Sequence, residues 1–275
     1  MLFPRYCYDP GRDLLLYIHV PKTAGQSLVA QVREALREGP KSDRRAGIRH
    51  LTNHENEMLE AAPARAARQL AQARAYRKYE DQQGLRRRLG LPNSSIRTAR
   101  FAYGHIGLYQ VDLRGRSALP IVVLRDPVAR IVSQFRYEGE KYRKGRGKTP
   151  DARRNLAAEG DLRGYVEAWI EAAASQNINH QCLYLAEEGT FEAAKRVVDE
   201  QIWIAGVTEN YGRFVEVLSG ATGLALGAPQ RKNVGPKSDV VEDLPAQLRT
   251  KLEDLISEDL RLHAYVAREF ERVSK

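Results

Sequence analysis

Seven consecutive residues near the start of the chain, Pro21, Lys22, Thr23, Ala24, Gly25, Gln26 and Ser27, combine the groups that hold an anion. Lys22 brings a mobile positive charge, Thr23 and Ser27 bring hydroxyl donors, and Gly25 leaves room for the backbone to approach closely. They follow an almost unbroken apolar run, Leu14 to Val20, and open a helical pattern. A loop that leaves a buried strand and starts a helix aims several backbone N–H groups at one spot, which suits phosphate or phosphosulfate. An ordinary turn with a surface lysine uses the same letters. The pattern GxxxxGK followed by Ser or Thr is missing, because here the lysine precedes the glycine by three residues.

A second group follows another apolar run, Leu119 to Leu124. Arg125 stands at its end, Asp126 suits a helix N-cap, and Pro127 suits the first helical position. Helical spacing puts Asp126, Arg130 and Ser133 at i, i+4 and i+7, on the face opposite an apolar stripe of Val128, Ile131, Val132 and Phe135. A capped surface helix is the alternative reading.

The elements that must carry these residues follow one grammar. Leu14–Val20 reads as a strand buried on both faces, followed by a helix with Leu28, Val32, Ala35 and Leu36 that closes near Gly39 and Pro40. Leu119–Leu124 and its helix repeat the unit. Ile202–Val207 is a third strand, leading through Thr208, Glu209 and Asn210 into a helix with Phe214, Val217 and Leu218. Three strand-to-helix units predict an α/β fold with a mostly parallel, doubly wound sheet flanked by helices, a single domain over residues 1–275. A helical insertion is expected at about 55–90, broken near Pro63 and Gly84, and an amphipathic helical region is expected from Leu244 to Val273.

Together the two loops resemble the sulfotransferases that use 3′-phosphoadenosine 5′-phosphosulfate (PAPS), in particular the carbohydrate group related to heparan sulfate 2-O-sulfotransferase. The resemblance covers about half the chain and implies the P-loop NTPase-like sulfotransferase fold. It implies that Pro21–Ser27 is the 5′-phosphosulfate loop, with Lys22 on the bridging and sulfuryl oxygens. Arg125 and Ser133 would bind the 3′-phosphate, the arginine through paired charge-assisted bonds. Arg231, Lys232, Asn233, Val234, Gly235 and Pro236 resemble the C-terminal cofactor loop, and also an ordinary basic turn. Gly206–Asn210 resembles the strand end before a family helix. The product would be adenosine 3′,5′-bisphosphate, and the transfer needs no metal.

Sulfuryl transfer to a hydroxyl also needs a base within hydrogen-bond reach. His105, after the β-like run Phe101–Tyr103, is the first choice. The family pattern His-Gly-His stands here as Tyr103-Gly104-His105, so Tyr103 occupies the place of the first histidine. A carboxylate such as Glu138 is the other candidate. His19 is read as structural, and His180, in Asn177–Leu185, is a weaker site candidate. From Arg136 to Arg154 eight Lys or Arg stand against three acidic residues, interrupted by glycines. This predicts a basic loop at about 136–154 that gathers an anionic acceptor or closes over the site, unless it is a solvated insertion.

The chain has 275 residues, 43% of them apolar, and a net charge of +9, which favours an anionic partner. A hydroxyl acceptor, by resemblance a glycan, is expected. Two cysteines, Cys7 and Cys182, are too few for a disulfide framework, and no run reaches the roughly 20 residues of a membrane helix. A cytoplasmic protein is the expectation. Two rivals share this evidence: a kinase on the same α/β plan, and a basic module binding nucleic acid or polyanion. Against the second, the chain carries no nucleic-acid motif and few aromatics within its basic runs.

Overall fold

The computed structural model describes residues 8–9, 12–38, 47–51, 99–111, 117–143, 152–228 and 244–274. The expected helical insertion at 55–90 and the loop Arg231–Gly235 lie outside them, as does Cys7. Five strands, β1 (Leu14–Ile18), β2 (Gly47–Leu51), β3 (Ala99–Gly104), β4 (Ala118–Leu124) and β5 (Ile204–Val207), form one sheet in the order β2-β3-β1-β4-β5. Every pairing is parallel. The three expected strands are present with shifted ends: β1 stops at Ile18, β4 starts one residue earlier, at Ala118, and β5 starts at Ile204 rather than Ile202. The described helices are α1 (Gly25–Glu38), α2 (Pro127–Arg143), α3 (Ala152–Glu159), α4 (Leu162–Ala172), α5 (His180–Leu185), α6 (Phe191–Glu200), α7 (Tyr211–Thr222), α8 (Ala246–Leu255) and α9 (Ser257–Val273).

All five residues of β1 are buried because helices cover both faces of the sheet. Leu14, Leu16 and Ile18 pack with Cys182 and Leu185 of α5, Val198 of α6 and Leu262 and Val266 of α9. Leu15 and Tyr17 face the other way, onto Leu28 and Val32 of α1 and Phe214 and Leu218 of α7. Each such leucine or isoleucine contributes roughly 1.5–3 kcal/mol by leaving water. A third apolar cluster joins Val128, Ile131 and Phe135 of α2 to Ala157 of α3, Tyr165 and Trp169 of α4 and Leu252 of α8.

The strand order locates a crevice. From β1 the chain passes through α1 to β2 on one side of the sheet; from β4 it reaches β5 on the other side. With crossovers of one hand, these connections lie on opposite faces, and α1 and α5–α6 do so. The carboxyl ends of neighbouring β1 and β4 are therefore the switch point, where ligands of open α/β sheets bind.

Two sequence expectations need correction. Arg130 is not on an open polar face: it is 2% exposed, because α4, α5 and α9 cover the side of α2 that helical spacing assigned to solvent. The expected basic loop at 136–154 is helical throughout its described part. Residues 136–143 continue α2 and 152–154 begin α3, since Phe135 and Gly139 still face a neighbouring helix, and only 144–151 lie outside the described residues. The expected C-terminal helical region is present as two helices, α8 and α9, that meet at the buried Ile256. Among the described residues no helix is long and apolar enough to cross a membrane.

Candidate functional site

The Pro21–Ser27 loop leaves β1 and turns into α1 through two non-glycine residues in the left-handed region, Lys22 at φ 70° and Ala24 at φ 61°. Such residues cost on the order of 1–3 kcal/mol each and cluster at ligand clamps. The Thr23 hydroxyl donates to the Val20 carbonyl at 2.8 Å and is fully buried. In this structure its proton holds the turn, a part that residue type alone did not assign to it. Ser27 is buried in the first turn of α1, and Pro21 is half-buried.

Gly25 has a reason that spacing alone did not show. A Cβ there would stand 2.0 Å from Nε2 of His19, so the imidazole occupies the space a side chain would need. The ring of His19 lies between Tyr17, 5.3 Å away, and His105, 4.1 Å away. This agrees with a structural part for His19 and brings His105 to the start of α1. His105 Nδ1 lies 2.8 Å from the His19 carbonyl oxygen, which can only accept. Nδ1 therefore carries the proton in that bond, and in the neutral ring the lone pair is on Nε2.

Lys22 and Arg125 meet across the crevice. Arg125 leaves the end of β4, and its Nη1 donates to the Lys22 carbonyl at 3.2 Å, so the second loop braces the first. Burial and the nearby Arg125 charge lower the Lys22 ammonium to about 8, against the opposing pull of Glu138 and Glu140. Lys22 Nζ also lies 4.1 Å from the ring centroid of Tyr137 on α2. Asp126 caps α2 as its type and position required, accepting from the Ala129 N–H at 2.8 Å. Ser133 is half-buried in the second turn of α2, and no hydrogen bond joins it to Arg125 or Lys22.

The other base candidates have partners of their own. Glu138 accepts from Gln134 at 2.7 Å and from the Tyr165 hydroxyl at 3.1 Å, one bond on each oxygen. Tyr103 faces α1, where its hydroxyl accepts from Arg33. His180 is 5% exposed, and burial followed by the charges of Arg130 and Arg153 drives it well below the usual imidazole range. It is neutral, packed at 4.9 Å against Trp169, and closed to an acceptor.

Spacing also missed residues that hold the Arg125–Asp126 turn. Gln181, fully buried, accepts from the Arg125 N–H at 2.9 Å and donates to the Arg125 carbonyl at 2.8 Å. Glu209 accepts from the Asp126 N–H at 3.0 Å, which gives the Gly206–Asn210 segment a structural part. Burial would raise the Glu209 carboxyl, but bonds from His263 and the Asp126 amide bring it down to about 2. Arg231, Lys232, Asn233, Val234 and Gly235 lie outside the described residues, yet both flanks of their segment are visible. Gln31 of α1 donates to the Gly227 carbonyl at 2.7 Å, and Leu244 packs in the cluster of Val128 on α2.

No protein-family model matches the chain, and no curated protein matches it.

Proposed function

We propose that the protein is a sulfotransferase with the P-loop NTPase-like fold, moving a sulfuryl group from PAPS to an acceptor hydroxyl. The observation that carries the reading is the Arg125–Lys22 bond, which locks two strand-loop-helix starts together at the switch point. A donor with a phosphosulfate at one end and a 3′-phosphate at the other calls for two anion sites at this separation of elements. The first turn of α1 and Lys22 suit the phosphosulfate, and Arg125 with Ser133 suits the 3′-phosphate, the basic segment Arg231–Gly235 adding to the nucleotide side.

PAPS, when bound, supplies the sulfuryl group and a phosphate that leaves as sulfur–oxygen cleavage proceeds. Lys22, charged below about pH 8, stabilises negative charge on the departing oxygen, together with the amides of the α1 start. His105 Nε2 takes the acceptor proton while its Nδ1 bond to the His19 carbonyl fixes the ring. The acceptor in this reading is an anionic glycan. Cations and aromatic rings alternate outward from Lys22: Tyr137, then Lys141 at 5.8 Å from that ring and 5.4 Å from Tyr142, then Arg154 at 5.7 Å from Tyr142. Rings suit sugar faces and cations suit their sulfates or carboxylates.

The test is transfer of label from PAPS to a panel of glycans and small alcohols, with EDTA present. The expected result is transfer that survives EDTA and falls at least about a hundredfold in Lys22→Ala, the scale on which loss of one charge-stabilising donor is felt. Undiminished transfer by Lys22→Ala, or activity that requires Mg²⁺ and a nucleoside triphosphate, would overturn the reading, the latter in favour of a kinase.

A further inference from the structure

We infer that Gln181 and Glu209 are positioning residues that aim Arg125 at the 3′-phosphate, with the C-terminal helix α9 as their frame; this rests on the sulfotransferase reading. The sheet ladder between β4 and β5 ends at Leu124 and Val207, so the peptide groups of Arg125 and Asp126 lie beyond the last strand pair. The partly buried groups of Arg125 would cost up to roughly 1–3 kcal/mol each without partners, whereas the Asp126 N–H lies in an exposed setting where its partner fixes direction more than it offsets burial. Gln181 supplies a substitute strand: its primary amide has the donor and acceptor of a peptide, and it bonds both the N–H and the carbonyl of Arg125. Glu209 takes the next N–H, that of Asp126. Three backbone groups of two consecutive residues are thereby fixed by side chains 56 and 83 residues away along the chain.

Both clamps trace back to one turn of α9. Asp259, fully buried, accepts from the backbone N–H of Gln181 at 3.0 Å and of Cys182 at 2.9 Å, and its own N–H donates to Asn179 at 3.0 Å. Four residues on, His263 meets the second oxygen of Glu209 at 3.1 Å. The same helix face therefore fixes the start of α5 and the end of Glu209. The only side chain of the clamped pair that reaches across the crevice is that of Arg125, on the Lys22 carbonyl, while Asp126 turns back to cap α2. A shift of the Arg125 backbone by about 1 Å is enough to cost a large factor in a charge-assisted contact.

The experiment is calorimetric titration of the full chain with adenosine 3′,5′-bisphosphate and with AMP, which lacks the 3′-phosphate. Gln181→Met and Glu209→Ala are expected to weaken the bisphosphate by about tenfold or more, and AMP by less than about twofold. Glu209→Gln, which keeps an acceptor for the Asp126 N–H, should restore most of the bisphosphate affinity. In an Arg125→Ala background, neither variant should weaken binding further. Equal loss of both ligands, wild-type affinity in a folded variant, or an undiminished effect without Arg125 would each overturn the inference. Should Gln181→Met fail to fold, the partly exposed Glu209 pair decides alone. A wild-type protein that does not prefer the bisphosphate to AMP would instead remove the sulfotransferase reading beneath it.

Discussion

Lys22 carries the most distinctive electrostatic state in the crevice. Its ammonium is lowered to about 8 by burial and by Arg125, so the positive charge is present below that pH and lost above it. The sign of the stability effect follows. Between about 8 and 10.5 the unfolded chain holds a proton that the folded chain has released, so this residue makes stability rise with pH across that window. Below it the full destabilising contribution is present. Lys22→Met is therefore expected to raise the melting temperature at pH 7 while abolishing bisphosphate binding; calorimetry of both proteins at pH 7 and pH 10.5 checks it, and a lower melting temperature at pH 7 counts against it. In the wild type, bisphosphate affinity should fall as pH passes from 7 to 9, and Lys22→Arg should flatten that fall. Lys22 was legible from its place between a strand and a helix. The purpose of its neighbours was not, because Gly25 answers to a ring packed above it and Thr23 to a carbonyl three residues back, contacts that only the folded turn creates.

Helix α2 shows where periodicity informs and where it stops. The cap at Asp126, the proline at the first position and the stripe of Val128, Ile131 and Phe135 were all readable, since each depends on residues within two turns. Arg130 was misassigned because spacing gives an angle around the helix and says nothing of what arrives from elsewhere. Here α4, α5 and α9 bring Tyr165, Tyr184 and Asp259 around the guanidinium. Gln181 and Glu209 escaped notice for the same reason, as glutamine and glutamate carry no pattern of their own. Gly139 also belongs to this scale. A Cβ there would stand 2.6 Å from the Ala157 carbonyl oxygen, a backbone atom that can yield only if α3 moves away from α2. Gly139→Ala is expected to cost roughly 1–3 kcal/mol, overriding its gain in helix propensity. Urea unfolding measures it, and a variant as stable as the wild type would show that the two helices part freely.

At the scale of the molecule, the sheet order and the charge distribution act together. The switch point sets two helix starts side by side, and beyond Lys22 the helices α2 and α3 carry Lys141 and Arg154, with Glu138 and Glu140 among them. Arg153, over Trp169 at 4.8 Å, lies on the same helical layer. With a net charge of +9, the chain attracts any polyanion, so overall charge alone would give binding that no particular residue controls. A located surface behaves differently. Replacing Lys141, Arg153 and Arg154 together by glutamine should raise the KM for an anionic glycan acceptor by roughly tenfold at low ionic strength. Near 0.5 M salt, where the Debye length has shrunk to a few ångströms, the difference should nearly vanish. The KM for PAPS should stay within about twofold throughout, because the donor contacts belong to the crevice and not to this layer. A control triple replacement on other helices, Arg196 of α6 and Arg268 and Arg272 of α9 to glutamine, removes the same net charge. Acceptor KM that rises equally in both triples would assign the attraction to net charge; a rise confined to the first would assign it to the layer beside Lys22.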